Sequence, residues 1–124
     1  MEEMQRMLEQ IEKIIAKDPS YKFEAYSFVM AGLHYTVSRL PKPRHVSGKE
    51  LCLGLKDYAF EQFGPLAQTV LEYWGIRKTR DFGKVVFNLI DAELLKKTEE
   101  DSIHDFEQIY SFRKSFRYEI KEES

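Results

Sequence analysis

The side chains best suited to chemistry in this chain are basic, and they fall in two concentrations. Lys42, Arg44 and His45 form the first, with Lys49 just beyond, and Arg77, Lys78, Arg80 and Lys84 form the second. Brought together by a fold, they would make one positive patch able to attract an anionic partner or the acidic face of a second copy. Left apart, they are ordinary solvated loop charges. Asn88 follows Lys84 by one helical turn, so both would share a face. A lysine for phosphate or guanine and an asparagine for adenine are side-chain types that read base edges in a major groove. Asp81 and Asp91 fall on that face too, and from Arg80 to Asp91 its charges cancel. The whole chain carries 19 Lys and Arg against 21 Asp and Glu, and Val85 to Tyr110 holds acids mainly. Phosphate binding needs concentrated positive charge. A protein partner or self-association is therefore the first reading, and nucleic-acid binding through Arg77 to Lys84 and Asn88 the alternative.

Catalytic patterns are thin. Cys52 sits early in an expected helix, where the N-terminus favours a thiolate, and His45 is near in sequence. No third group stands where it would orient that pair, and a buried cysteine behaving as a small hydrophobe is the plainer account. One cysteine cannot close an intrachain disulfide, which points to a cytoplasmic protein. His34, His45 and His104 lack zinc-ligand spacing. EEDSIHD, residues 99–105, gathers four carboxylates and His104 without the alternating ligands and central glycine of a calcium loop. Ser102 and Asp105 instead read as a capping pair. His34, near Ser27, Ala31 and Ser38, reads as a packed, hydrogen-bonded histidine. No glycine-rich phosphate loop, G-x-S-x-G or H-E-x-x-H is present. The expectation is a protein that is not an enzyme, with no catalytic residue, cofactor or metal.

The elements that would position these residues follow from apolar spacing. Met4, Met7, Leu8, Ile11, Ile14 and Ile15 predict an amphipathic helix over about 2–17, ended by Asp18-Pro19-Ser20. Its methionine-rich stripe suits packing within the chain or against a second copy. Phe23, Tyr26, Met30, Leu33, Val37 and Leu40 predict a second helix, and the small neighbouring set Ala25, Val29, Gly32 and Thr36 lets another helix approach closely. Ser47 with Glu50 predicts a capping box opening a third helix, which buries Leu51, Leu55, Tyr58, Ala59 and Phe63. Gly64-Pro65 breaks it; Ala67, Val70, Leu71 and Trp74 form a short fourth helix closed by Gly75. Thr79 or Asp81 caps a fifth, with Phe82, Val85, Val86, Leu89, Ile90 and Leu94 inward. LKKT and QIYSF around EEDS predict two short strands. Phe116 and Ile120 fit a last docked turn or strand.

With 43% hydrophobic residues, nine Phe, seven Tyr and one Trp, the 124 residues can bury a core as one domain. Its parts would be an N-terminal helix over 1–18, a helical core over 21–76, and a helix plus hairpin over 77–120. The N-terminus lacks a signal-peptide pattern and no run is apolar enough to span a membrane, so no membrane partner is expected. The predicted class is mostly α (α+β): five helices, a small C-terminal β-hairpin and a winged-helix-like second half.

Two resemblances accompany this reading. YSFVMAGLHYTVSRL, KPRHVSGKEL, FGPLAQTVLEYWGI, DFGKVVFNLIDAELLKKTEEDSIHDF and YSF, in that order, resemble a family of uncharacterised bacterial proteins from planctomycetes and verrucomicrobia. The similarity runs from Tyr21 to Ile120 and implies a bacterial protein without assigning a functional residue. The third to fifth helices with the strand pair resemble a winged helix-turn-helix, with LIDAELLKKTEEDS as recognition helix and first wing strand. That likeness implies a fold, and a fold does not carry a function by itself.

Overall fold

A computed structural model describes residues 2–96 and 102–116, and every regular element among them is helical. Helix α1 spans Glu2–Lys17, α2 Phe23–Ser38, α3 Gly48–Phe63, α4 Ala67–Tyr73, α5 Thr79–Asp91 and the single turn α6 Phe112–Ser115. Short 3-10 turns occupy Gly64–Leu66 and Ile103–Phe106.

Local signals account for the boundaries. The Ser47 hydroxyl accepts from the Glu50 N–H at 3.1 Å and the Glu50 carboxylate from the Ser47 N–H at 3.0 Å, the reciprocal pair that starts α3. Past α4, Gly75 takes φ 99°, a left-handed conformation that favours glycine, and the Ile76 N–H returns to the Leu71 carbonyl at 2.9 Å. Ile76 is buried there, the apolar contact that accompanies such a cap.

Helix α2 is central, packing on α1, α3 and α5. The close approach to α3 falls on the predicted small side: a Cβ at Gly54 would overlap the Thr36 side chain, and one at Gly32 would overlap Leu55. Tyr26, Val29, Leu55, Leu71, Ile76, Phe82, Val85 and Leu89 are fully buried in the resulting core. Aromatic rings extend it, with Phe28 among Tyr58, Phe63 and Trp74, and Phe112 against Phe82 and Phe116.

The predicted C-terminal β-hairpin is not present, and the α+β, winged-helix-like class must be corrected to an all-helical one among the described residues. In place of the strands, Ser102 and Asp105 open a 3-10 turn, with the Ser102 N–H donating to Asp105 Oδ2 at 3.0 Å. QIYSF runs directly into α6, where Phe112 and Phe116 are both buried. Their spacing of one helical turn outweighs an alternation only a few residues long. Lys97 and Thr98 of the first expected strand, and Ile120 of the tail, lie outside the described residues.

Candidate binding surfaces

Asp81 explains why α5 does not present the face expected of it. It is 7% exposed rather than outward, and its carboxylate joins three donors from two distant stretches of the chain. The backbone N–H groups of Arg77 and Lys78 donate to Oδ2 at 2.9 and 3.2 Å, and the Tyr21 hydroxyl donates to Oδ1 at 2.6 Å. An acidic residue in the first helical turn suits the positive end of the helix dipole. Burial and the neighbouring carboxylate push the Tyr21 hydroxyl far above its ordinary range, so it stays a neutral donor. Thr79 does not cap α5: it is buried, and its Oγ1 accepts from the Ile109 N–H at 3.2 Å, tying the C-terminal segment to the helix.

The remaining candidates on α5 are partly engaged. Arg80 Nε pairs with Glu107 Oε1 at 3.3 Å, and the half-buried Asn88 amide donates to the Tyr26 hydroxyl at 3.1 Å. Lys13, Ile14 and Lys17 of α1 line a cleft together with Asn88, Asp91 and Ala92. Lys84 is exposed beside the end of α1, where Asp18 titrates below its ordinary value because Ser20 hydrogen-bonds it, with a smaller attraction from Lys84.

The two basic stretches border different hollows. Lys42, Arg44 and His45 are exposed on the α2–α3 loop, and His45 borders a hollow with Lys96. Arg44 grips Glu50 through two bonds, at 2.7 and 3.1 Å, which holds the Glu50 carboxyl down at about 2. The exposed Lys78 and Arg80 border a different hollow, with Glu107, Gln108 and Tyr110; Arg77 is exposed beside them in sequence. Glu107 pairs with Arg80 and also lies 3.2 Å from His104 Nδ1.

Cys52 is fully buried, its thiol pushed up to about 12 by burial, so little thiolate forms at neutral pH. Its carbonyl accepts from the Tyr110 hydroxyl at 2.7 Å. His34 is exposed, against the expectation of a packed histidine. Among the described residues no three His, Cys, Asp or Glu side chains gather as metal ligands, and no helix is long and apolar enough to cross a membrane.

Apolar surface is the feature that sequence reasoning only half located. Along α1, Ile11 is buried and Met7, Ile14 and Ile15 are half-buried, yet Met4 remains 63% and Leu8 37% exposed. Leu66 and Tyr73, at the two ends of α4, are 60% and 69% exposed. The methionine-rich stripe signalled the first pair, whereas Leu66 and Tyr73 fall outside the stripe that identified α4. No protein-family model matches the chain, nor does any curated protein or solved structure.

Proposed function

We propose that this protein is a non-enzymatic protein-interaction domain, and that the outer edge of α1 is its contact surface. The observation that carries the proposal is the division of one apolar stripe. Its C-terminal half is spent on the core, while Met4 and Leu8, one turn apart, face solvent. Adaptable methionine and leucine side chains are suited to a protein surface, and these two, one turn apart, form a continuous apolar edge.

A second copy of the chain is the proposed partner. In a two-fold dimer the Met4 and Leu8 edges of the two α1 helices meet, each copy offering the same patch to the other. Light scattering on a size-exclusion column tests this: the wild type gains mass with concentration and Met4→Glu/Leu8→Glu does not. A wild type that stays at 14.7 kDa throughout overturns self-association. Nucleic-acid binding is the weaker reading, since Arg80 is paired, Asn88 is bonded to Tyr26, and α1 flanks the face that would enter a groove.

A further inference from the structure

Between α2, α3, α5 and the Ile103–Phe106 turn lies an apolar hollow of about 110 Å³. Leu33, Leu51, Val86, Phe87, Ile90 and Phe106 form its walls. Protein interiors are close-packed, with few voids larger than a water molecule. A dry cavity of similar lining and on the order of 150 Å³ takes up benzene. The space therefore matches one six-membered ring or a short branched chain, and its walls offer such a molecule carbon contacts.

Leu95, His45 and the exposed Lys96 also border the hollow, and Lys96 makes no ion pair among the described residues. Ser47, Gly48 and Leu51 place the first turn of the 16-residue α3 in the same wall, where the helix dipole adds positive potential. Among the described residues, the carboxylates beside this turn are engaged: Glu50 holds Arg44, and Asp105 accepts from the Ser102 N–H while its backbone packs against Gly48.

We infer that this hollow is a binding site for a small apolar carboxylate, ring or branched chain inward and carboxylate at Lys96. The site is separate from the α1 edge, so either assignment can fail without the other. Benzoate is the probe, with benzamide as its uncharged counterpart, and methyl-detected NMR of the full chain as the readout. Benzoate is expected to give saturable shifts at the Leu33, Leu51, Val86, Ile90 and Leu95 methyls. Val86→Phe fills the space and weakens binding by about tenfold or more, comparable with losing a buried apolar contact. Should Val86→Phe not fold, Leu95→Phe at the half-buried rim makes the same test. Lys96→Gln weakens benzoate by about two- to fivefold, the size of a partly solvated ion pair, and leaves benzamide unchanged. No saturable shift at these methyls, or shifts that persist in the filled variant, overturns the site. Equal loss for benzoate and benzamide in Lys96→Gln, or no loss for either, overturns the anionic ligand.

Discussion

Removing the Tyr21 hydroxyl should cost this fold more than its single oxygen suggests. Tyr21→Phe leaves Asp81 Oδ1 without its 2.6 Å donor at a place that stays only 7% exposed. Hydrogen bonds to a charged group are worth about 1.5–3 kcal/mol, and that is the loss expected. Asp81→Ala is worse: it strands the Tyr21 hydroxyl and the N–H groups of Arg77 and Lys78 and removes the α5 cap. A cap contributes about 1 kcal/mol and each buried orphan about 1–3, which allows about 3–5 kcal/mol after partial rehydration of the two backbone groups. Trp74, the sole tryptophan, reports on this joint, because its carbonyl accepts from the Lys22 N–H next to Tyr21. Urea unfolding followed by its fluorescence gives both free energies, and the melting temperature should fall by about 4 °C per kcal/mol. The double variant should cost less than the two single losses added, as expected of directly bonded partners. A Tyr21→Phe protein within about 0.5 kcal/mol of wild type, where unremarkable surface changes fall, would refute the reasoning.

Acid stability offers a second check. Glu50 titrates at about 2 in the fold, below its ordinary 4.5, so its contribution is complete above 4.5 and disappears as the pH falls towards 2. Glu50→Gln should therefore show a flatter melting temperature than wild type across that window; equal slopes would contradict the Arg44 and Ser47 contacts. Cys52 should resist a thiol reagent such as DTNB at pH 8 and react fully in urea, and rapid labelling of the folded chain would contradict its burial. Random duplex DNA should give no anisotropy change at about 50 mM salt, where phosphate contacts are strongest. Steep, salt-sensitive binding would revive the nucleic-acid reading.

The helices were legible because local chemistry and packing agree in them. Ser47 and Glu50 marked the start of α3, Gly75 the end of α4, and the stripes of α1 and α5 their buried sides. The C-terminal segment was not, because QIYSF is too short for its period to decide. Its outcome depends on Phe112 and Phe116 meeting Phe82, Phe60 and Tyr110, neighbours that only the folded chain supplies. Asp81 was legible as a cap of α5, but its burial was not, for a similar reason. Spacing alone sets it outward on α5, and the residue that encloses it is 60 positions away. His34 erred in the opposite direction: small neighbours suggested packing, but that side of α2 meets solvent. Of the basic candidates, the types were legible and the pairings were not. Arg44 with Glu50 and Arg80 with Glu107 form only once the loops are placed.

The α1 edge can be observed at its own atoms. With methionine methyls carbon-13 labelled, the Met4 resonance should move with protein concentration, while Met30, half-buried on α2, serves as the internal reference and holds still. Leu8→Glu should freeze the Met4 signal at its dilute position. A Met4 resonance that does not change between micromolar and millimolar protein, or that moves no more than Met30, would contradict the α1 contact.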